Sequence, residues 1–492
     1  MSAADGAPSA GVAQAHRRRW PFVVLANTLP VRRERVRGEV RWVTAPGGLA
    51  SALTPVVRDA GGAWVGWHGR AGKGKVPATH DGIALLSVPL SREEIIGYYE
   101  GFSNGSLWPL FHGAIRQPEY HRPWWASYRI VNERFATAAA SVAKDGGVVW
   151  IQDYHLLLVP ALLRHMRPDL RIGFFLHIPF PSEDLFMRLP WRQELIEGML
   201  GADVIGFQTP GAARNFTRLA RHLDQATIHG NTVRTGGRVA IADAFPISVD
   251  VDRFEEAAKT PAVRRRADEL RRRVGGGRRV VLGVDRLDYT KGIDLRLKAY
   301  EELLRRDPDK ASHTVLVQVA VPSRERVGEY QRLQQLVDAF IGRLNGEYGD
   351  VGVNPVDYIR RHLAFEDLVA LYQLADVMVV TPLADGMNLV AKEFVACRSK
   401  DTGVLVLSEF AGAAAEFKTA LMVNPHDVNG MAMAISRALN MSVGEQRRRM
   451  RALRAVVHAH TLADWAATFL MALTGGRQTG SRNRRRGVAA AN

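Results

Sequence analysis

The sequence predicts an α/β fold made of two Rossmann-like, doubly wound domains that face each other across a cleft. Its 492 residues are too many for one hydrophobic core, so two domains of about 200 to 250 residues are expected. Short apolar runs alternate with stretches of helical periodicity along the chain. The runs are apolar on both faces, which is typical of parallel strands covered by helices.

The predicted strands follow one another with helical stretches between them. They cover residues 22–26, 148–152, 172–178, 204–207, 240–242, 280–284, 314–320, 377–381, 403–407 and 421–423. A linker is predicted at 254–261, between the two sheets. Ligands of doubly wound sheets bind at the carboxyl ends of the strands. Residues that directly follow these strands are therefore the first candidates for a functional site.

The composition is that of a soluble globular enzyme, with 47% apolar and 24% charged residues. Cys397 is the single cysteine, so no intrachain disulfide forms, which fits a reducing compartment. The apolar run after the basic residues 17–19 is too short for a signal peptide, and no run approaches a membrane-spanning length. We therefore expect a cytoplasmic protein without a membrane partner.

The formal net charge of +16 makes nucleic acid a partner to consider. Much of the excess lies in residues 17–19 and beyond 475, in ends rich in glycine, alanine and serine that are expected to be disordered. The basic run at 264–273 has helical periodicity and is typical of a solvated helix face. We find no zinc-ligand spacing or recognition-helix pattern, so we expect no nucleic-acid partner.

Residues 381–393 combine a strand end, a tight loop and a helix start. The apolar strand breaks at Pro382 and Gly386, and helical periodicity follows. The free N–H groups of such a helix start favour an anion, for which a nucleotide diphosphate is a common candidate. Asp385 and Glu393 are negative, so hydroxyl groups of a sugar and a ribose are their expected partners. A solvated loop before an ordinary amphipathic helix is the alternative.

The first half of the chain contains two further groups of candidates. Gly47 and Gly48 open a helix, where glycines let backbone N–H groups approach a phosphate, although glycines before helices are common in general. Aromatic side chains are dense at 98–128, with Asn104 and His112 among them. They form either a platform for sugar rings or a packed core.

Charged and titratable side chains follow several predicted strands. Asp153 and His177 end two strands of the first sheet and are expected to face one cleft. Arg286, Lys291 and Arg324 follow strands of the second sheet, where cations neutralise a diphosphate as it leaves a sugar. A salt-bridge role for each arginine is the alternative.

Four motifs of the chain occur in the same order in one known family. They are Trp150-Ile-Gln-Asp-Tyr-His-Leu, Phe175-Leu-His-Ile-Pro-Phe-Pro, Asp285-Arg-Leu-Asp-Tyr-Thr-Lys-Gly and Asp385-Gly-Met-Asn-Leu-Val-Ala-Lys-Glu. On these motifs, over residues 22–473, the chain resembles the trehalose-6-phosphate synthases, retaining glycosyltransferases of family 20 with the GT-B arrangement of two Rossmann-like domains. The resemblance implies transfer of glucose from a nucleotide donor, usually UDP-glucose, to glucose 6-phosphate.

The resemblance also implies roles for single residues. It places at the donor Gly47, Gly48, Arg286, Lys291, Leu363, Asp385, Asn388, Leu389, Val390 and Glu393, with Arg286 and Lys291 on the diphosphate, Glu393 on the ribose and Leu363 near the base. It places at the acceptor Tyr99, Trp108, Asp153 and Arg324. The residues implied in catalysis are Arg286, Lys291, Asp385, His177 and Asp153, with Asp385 and His177 on the donor glucose.

One position departs from the family pattern. The first strand in the family usually ends Asn-Arg, and that arginine binds the acceptor phosphate, whereas this chain has Asn27 and Thr28. Arg32 or Arg33 is a candidate replacement. The identity of the acceptor is therefore less firmly implied than that of the donor.

The implied mechanism needs no protein nucleophile and no metal. In a retaining hydrolase two carboxyl groups lie about 5 Å apart and one is the nucleophile, and no such pair is evident in these motifs. The resemblance implies attack from the front face, in which the leaving phosphate oxygen takes the proton of the incoming hydroxyl. Asp250 and Asp252 form an Asp-x-Asp pattern, but Arg286 and Lys291 already neutralise the diphosphate, so we expect no cofactor and no required metal.

These interpretations divide the chain into functional segments. We expect a disordered basic N-terminus (1–19), an acceptor-binding domain (20–255), a nucleotide-sugar-binding domain (256–460), a helix that returns to the first domain (461–474) and a disordered basic tail (475–492). UDP-glucose or another NDP-glucose and glucose 6-phosphate are the expected partners, in a homo-oligomer (dimer or tetramer). A related transferase with another acceptor and a non-catalytic sugar-phosphate sensor are the alternatives.

Overall fold

The protein is described here by a computed structural model that covers residues 19–36, 39–45, 48–275 and 277–475. It confirms the predicted α/β class, with two large sheets of mainly parallel strands and helices packed on both. The termini predicted to be disordered, 1–19 and 475–492, lie outside the described residues except for Arg19 and Gly475.

The first sheet has ten strands in the order β10-β11-β12-β9-β8-β7-β1-β4-β6-β5, and all neighbours from β12 to β6 are parallel. Its strands are β1 (Trp20–Thr28), β4 (Ala63–Trp67), β5 (Thr79–His80), β6 (Ile83–Ser87), β7 (Ala143–Gln152), β8 (Arg171–Phe175), β9 (Val204–Phe207), β10 (Thr227–His229), β11 (Thr232–Thr235) and β12 (Arg238–Ala244). A separate antiparallel hairpin consists of β2 (Val31–Val36) and β3 (Glu39–Thr44).

The helices of this part of the chain lie between those strands. They are α1 (Gly48–Asp59), α2 (Arg92–Glu94), a π-helix (Ile95–Leu107), α3 (Trp108–Phe111), α4 (Arg122–Val142), α5 (Val159–Met166), α6 (Glu183–Phe186), α7 (Arg192–Leu200) and α8 (Pro210–Asp224). The π-helix packs on α4 through glycines, since a Cβ added at Gly101 would lie 2.5 Å from the Trp124 ring. This close contact positions Tyr99 and Trp108 beside the carboxyl end of β7.

The second sheet has six strands in the order β15-β14-β13-β16-β17-β18, all parallel. They are β13 (Arg279–Arg286), β14 (Thr314–Val321), β15 (Val356–Ile359), β16 (Val377–Val380), β17 (Val404–Ser408) and β18 (Leu421–Val423). Its helices are α9 (Val251–Lys259), α10 (Pro261–Arg273), α11 (Ile293–Arg306), α12 (Lys310–His313), α13 (Gly328–Tyr348), α14 (Phe365–Leu374), α15 (Leu389–Ala396), α16 (Val428–Leu439) and α17 (Val443–Ala459).

Each predicted strand is present, and the sequence analysis missed several others. One of the omitted strands is β4, which is buried along its whole length. It contains Gly66, and glycine inside a strand weakens a strand prediction. The structure needs that glycine, because a Cβ there would lie 2.6 Å from the carbonyl carbon of Thr28 at the end of β1.

The prediction of a linker at 254–261 is wrong, because α9 occupies most of this segment. This helix packs on α14 and α15, so it belongs structurally with the second sheet. Lys392 of α15, which is 1% exposed, donates to the carbonyl of Ile247 at 2.9 Å. The irregular segment 245–250 between β12 and α9 is thereby attached to the second sheet.

A last helix, α18 (Leu462–Thr474), packs on β8, β9 and α1 of the first sheet. The Phe469 ring stacks on Trp150 with 4.6 Å between ring centroids. Glycines make room for it, since Cβ atoms added at Gly173 or Gly206 would each lie 2.8 Å from the Phe469 ring. Among the described helices, none is long and apolar enough to span a membrane.

Replacing Phe469 with alanine is expected to lower the free energy of unfolding by about 3 to 5 kcal/mol, because it removes a fully buried ring from the contact between α18 and the first sheet. Denaturant titration measures the change. Met471 on the same helix is 57% exposed, so Met471→Ala is expected to change it by less than about 0.5 kcal/mol. Equal effects of the two substitutions would contradict this packing.

Candidate active site

The carboxyl ends of the two sheets face each other. Asp153 follows β7, His177 follows β8, and Arg286 ends β13. The loop after β16 meets the loop after β8 so closely that a Cβ added at Gly386 would lie 1.9 Å from the carbonyl oxygen of His177. The candidate site therefore lies in a cleft that both sheets line.

Asp385 connects a cation to the start of α15. Its Oδ2 accepts from Lys291 Nζ at 2.6 Å and from Asn388 Nδ2 at 3.0 Å. Asn388 caps α15, because its Oδ1 accepts from the N–H of Ala391 at 3.2 Å, and it has a φ of +74°. Burial raises the pKa of Asp385, but the Lys291 ammonium outweighs it and holds that pKa below its usual value. Asp385 is therefore ionised.

Lys291 reaches this position through a tight turn after β13. The turn spans Tyr289–Lys291, and Gly292 ends it with a φ of +61°. A Cβ at Gly292 would lie 2.5 Å from the Thr381 carbonyl oxygen, so only glycine allows α11 to begin against the end of β16. The predicted convergence of Lys291 with the start of α15 is present in the structure.

The first sheet contributes to the same helix start. A Cβ added at Gly48 would lie 2.5 Å from Leu389 Cδ1, so α1 begins against the first turn of α15. Gly47, which was predicted with it, lies outside the described residues. Val390 follows on the first turn and is half-buried.

Glu393 and Leu363 lie further along this side of the cleft. Glu393 is on the second turn of α15, where its Oε2 accepts from the hydroxyl of Tyr372 at 2.7 Å. Burial raises the pKa of Glu393. Leu363 is half-buried in the segment after β15. Its neighbour His362 has a pKa lowered by burial and then by the charge of Arg32 in the β2–β3 hairpin.

Arg324 lies in a network that the sequence did not predict. It donates to Asp288 Oδ2 at 2.9 Å and to the hydroxyl of Tyr154 at 3.1 Å, and also to the hydroxyl of Tyr330. Its guanidinium lies over the Trp108 ring at 3.8 Å from the centroid. The salt-bridge alternative for this arginine is therefore correct in part, and stacking on Trp108 directs the guanidinium.

Trp108 brings the two arginines of the cleft together. Arg286 lies 5.5 Å from the centroid of the same ring and, within the described chain, has no ion pair. Burial raises the pKa of Asp288, but Arg324, Arg286 and Lys291 together lower it to about 2. Asp288 lies within the motif Asp285-Arg-Leu-Asp-Tyr-Thr-Lys-Gly. A carboxylate that closely follows a buried strand is a signal from which Asp288 could have been predicted as a site residue.

Asp153 and His177 are tied together by the backbone. Asp153 Oδ1 accepts from the His177 N–H at 3.1 Å, and Asp153 has a φ of +72°, which is unusual for a residue other than glycine. Burial raises the pKa of Asp153 to about 6, partly offset by backbone hydrogen bonds and by Arg286 and Arg324. Asp153 therefore gains or loses its charge at a pH of about 6.

The histidines near the cleft are uncharged. Burial lowers the pKa of His177 to about 3, and its ring lies between Gln152, at 2.9 Å from Nε2, and Gln208, at 3.4 Å from Nδ1. Burial also lowers the pKa of His112 to about 4. The Nδ1–H of His112 donates to the Trp108 carbonyl at 2.8 Å, so its Nε2 is a buried acceptor, and it has no partner among the described residues.

Tyr99 lies at the outer side of these groups. Its ring stacks on His155 with 5.9 Å between centroids and lies 5.8 Å from the Trp67 ring. It is half-buried. The aromatic density at 98–128 thus forms both a core, in Tyr98 and Tyr128, and one side of the cleft.

The sequence of the chain matches a known protein family. Residues 21–475 match the sequence model of glycosyltransferase family 20. The chain belongs to this family. The trehalose-6-phosphate synthase of Mycolicibacterium smegmatis is 51% identical over 469 residues, which cover 93% of each chain.

Solved structures agree with the family 20 assignment. A trehalose-phosphate synthase from Burkholderia xenovorans in complex with glucose-6-phosphate superposes with a TM-score of 0.86 at 34% identity, covering 93% of this chain and 100% of that one. An E. coli structure, described as trehalose-6-phosphate bound with UDP-2-fluoro glucose, has a TM-score of 0.85 at 34% identity. The match covers 92% of this chain and 98% of that chain. The two-domain GT-B fold is thus shown.

The Asp-x-Asp pattern in this family 20 chain has a structural role at one of its residues. Asp250 caps α9, because its Oδ1 accepts from the Arg253 N–H at 3.1 Å. The capping bond accounts for Asp250. In the part of the chain that the structure describes, no group of three or more residues has the arrangement of a metal site.

Replacing Gly386 with alanine is expected to lower glycosyl transfer at least about tenfold, because its Cβ cannot fit against His177 and the loop that carries Asp385 must move. Initial rates measure the effect. Gly342 in α13 has open space around it, so Gly342→Ala is expected to keep the rate and to raise the free energy of unfolding by about 0.5 to 1 kcal/mol. An unchanged rate in Gly386→Ala would contradict the close contact.

Proposed function

We propose that the protein is a trehalose-6-phosphate synthase, which transfers glucose with retention of configuration from UDP-glucose, or another NDP-glucose, to glucose 6-phosphate. The observation that carries the proposal is the contact of Lys291 with Asp385 and, through Asn388, with the start of α15. The name of the Mycolicibacterium smegmatis relative and the ligands of the two structural neighbours support both substrates.

The donor diphosphate binds Arg286, Lys291 and the free N–H groups at the start of α15, from Asn388 to Val390. Arg286 is exposed at the end of its strand without a carboxylate partner among the described residues, so its charge is available. The Gly48 backbone contacts Leu389 at this helix start and closes the phosphate site from the first sheet. A helix start with two cations is a strong anion site.

The other parts of the donor bind on both sides of that phosphate site. Glu393 accepts hydroxyl groups of the ribose, and the hydrogen bond from Tyr372 orients its carboxylate. Leu363 contacts the base. Asp385 and the uncharged His177 bind hydroxyl groups of the glucose.

The acceptor binds at the end of the first sheet. Asp153 accepts a sugar hydroxyl, and Trp108 and Tyr99 pack against the ring. Arg324 faces the same space, with Trp108 beneath its guanidinium. The acceptor and donor sites meet at Trp108, since Arg286 lies over the same ring.

The reaction proceeds by attack from the front face. The acceptor hydroxyl forms the new bond to the anomeric carbon as the bond from that carbon to the phosphate oxygen breaks. Its proton passes to the departing phosphate oxygen, whose charge Arg286, Lys291 and the helix start stabilise. His177 has a pKa of about 3 and is not a base in this step. No metal takes part, because the protein cations already neutralise the diphosphate.

The acceptor and the nucleotide sugar are divided between the predicted segments of the chain. Most of the acceptor site lies in residues 20–255 and most of the nucleotide-sugar site in residues 256–460, and the helix in 461–474 couples the second domain to the first. We further propose a cytoplasmic homo-oligomer. The contacts of α18 with the first sheet support its role as the connection between the domains.

A related transferase with a different acceptor is the second candidate, because Thr28 departs from the family pattern. An assay of UDP release from UDP-glucose separates the candidates. Release with glucose 6-phosphate supports the synthase, and release only with another acceptor supports the second candidate. Binding of UDP-glucose without release under any condition would instead identify a sensor.

Lys291→Ala is expected to lower kcat/KM about 10²- to 10³-fold, because it removes a donor aimed at charge that develops in the transition state. The UDP-release assay measures it. Lys298, two turns along α11, is exposed, and Lys298→Ala is expected to keep the wild-type value. A Lys291→Ala enzyme with wild-type kcat/KM would remove the basis of the proposal.

Treatment with EDTA is expected to leave the initial rate unchanged, because Arg286 and Lys291 take the role that a metal has in other transferases. The rate is compared before chelation, after it and after addition of magnesium. Loss of the rate with recovery on magnesium would show that the diphosphate needs a metal.

The KM for glucose 6-phosphate is expected to rise as the pH falls through about 6, where Asp153 becomes protonated and stops accepting a hydrogen bond. Arg286 and Arg324 are the charged groups that face it. The acceptor phosphate itself titrates near a pH of about 6, so Asp153→Asn is the control. The KM of the Asp153→Asn variant should depend less on pH, because only the titration of the substrate phosphate remains. Identical pH profiles for the two enzymes would exclude this role of Asp153.

A further inference from the structure

The charge of Arg324 is already matched by a carboxylate. Its ion pair with Asp288 is 2.9 Å long, and the two side chains are 5% and 0% exposed. A sugar phosphate carries a charge of about −1.5 to −2 near neutral pH. If glucose 6-phosphate is the acceptor, as proposed above, its phosphate needs further positive charge near the acceptor site.

Positive charge that has no carboxylate partner within the described part of the chain lies at the end of β4. Thr28, the last residue of β1, pairs with Trp67, the last residue of β4. His68 and Arg70 follow, with Gly69 turning the chain at a φ of +87°. The Trp67 indole N–H donates to the Arg70 carbonyl at 2.7 Å and fixes this turn. The Trp67 ring also contacts Tyr99, at 5.8 Å, so the turn adjoins the acceptor site.

Arg33 of the β2–β3 hairpin approaches the same turn. β2 begins at Val31, directly after Leu29 and Pro30, and the N–H of Leu29 donates to the carbonyl of Trp67 at 2.9 Å, so the hairpin starts beside this turn. The pKa of His68 is lowered by burial and then by the charges of Arg70 and Arg33. Successive side chains of a strand point to opposite faces, and Arg32 correspondingly affects His362 of the second domain. Of the two arginines considered as replacements, Arg33 is therefore the one on the acceptor side.

Among the residues that the structure describes, Arg33 and Arg70 have no carboxylate partner. Arg33 and Arg70 are exposed, and neither forms an ion pair or a side-chain hydrogen bond with any residue that the structure describes. Two positive side chains without a carboxylate partner among the described residues favour the binding of an anion at this turn. Arginine is well suited to a phosphate, which it binds through two parallel N–H donors.

We propose that Arg33 and Arg70 bind the phosphate of the acceptor, in the place that an arginine at position 28 would otherwise fill. Thr28 is exposed at the strand end beside Trp67, so its short side chain leaves this space open to the two arginines. Arg324 then orients the acceptor from the opposite domain. This inference deepens the proposed function and depends on glucose 6-phosphate as the acceptor.

The test is the double variant Arg33→Gln/Arg70→Gln. We expect its KM and Kd for glucose 6-phosphate to rise about 10- to 100-fold, as for the loss of charge-assisted hydrogen bonds, while the KM for UDP-glucose stays the same. The preference for glucose 6-phosphate over glucose, measured as the ratio of kcat/KM values, should fall by the same factor. Thr28→Arg added to the double variant should restore affinity for glucose 6-phosphate.

Arg32→Gln is the matched control, because it removes the neighbouring charge from the other face of the hairpin. It should change the KM for glucose 6-phosphate less than about twofold. An unchanged KM and Kd in the double variant, or an equal loss with glucose and glucose 6-phosphate, would overturn the inference. If the wild-type protein binds glucose 6-phosphate but releases no UDP, only the proposed function is contradicted. The Kd for glucose 6-phosphate then still tests whether Arg33 and Arg70 bind its phosphate. Wild-type protein that does not bind it would remove both.

Discussion

The arrangement of the cleft depends on a contact between three backbone segments that leaves no room for side chains. A Cβ added at Gly386 would lie 1.9 Å from the His177 carbonyl oxygen, and one added at Gly412 would lie 1.9 Å from the Gly386 carbonyl oxygen. The ends of β8, β16 and β17 are thus stacked directly on one another. This stacking fixes Asp385, and through it Lys291 and the start of α15, against the strand ends that carry Asp153 and His177.

The charges in the cleft fall into two classes with different consequences. Lys291 and Arg324 each have a carboxylate partner, Asp385 and Asp288, which fixes their geometry and offsets part of their charge. Arg286 has no such partner among the described residues, and its charge is free to act on a ligand. Neutral histidines complete the site, because ionised ones would add repulsion in a buried region. Arg286 therefore supplies positive charge without a carboxylate partner in the described part of the chain, and Lys291 supplies a cation in a fixed position.

The sequence predicted this site to the extent that the chemistry follows strand ends. Asp153, His177, Arg286 and Asp385 were identified because polar residues after buried strands gather at one edge of a parallel sheet. The pairing of Arg324 with Asp288 was not predictable, because it depends on how β13 and β14 are placed in space. The π-helix that brings Trp108 over both arginines also gives no clear sequence pattern, and the helix at 251–259 was mistaken for a linker because Thr260 and Pro261 end its helical pattern.

The hydrogen bonding and protonation of Asp385 and Asp153 bear on how the configuration at the anomeric carbon is retained. A nucleophilic carboxylate needs free lone pairs directed at the anomeric carbon. Asp385 is bound at Oδ2 by Lys291 and by Asn388, and hydrogen bonds and cations of this kind lower the nucleophilicity of a carboxylate. Asp153 is held at Oδ1 by the His177 N–H, and burial raises its pKa to about 6, so it is partly protonated at about that pH. Both groups suit the binding of hydroxyl groups better than covalent attack, which favours a reaction driven by alignment and by charge stabilisation of the departing phosphate.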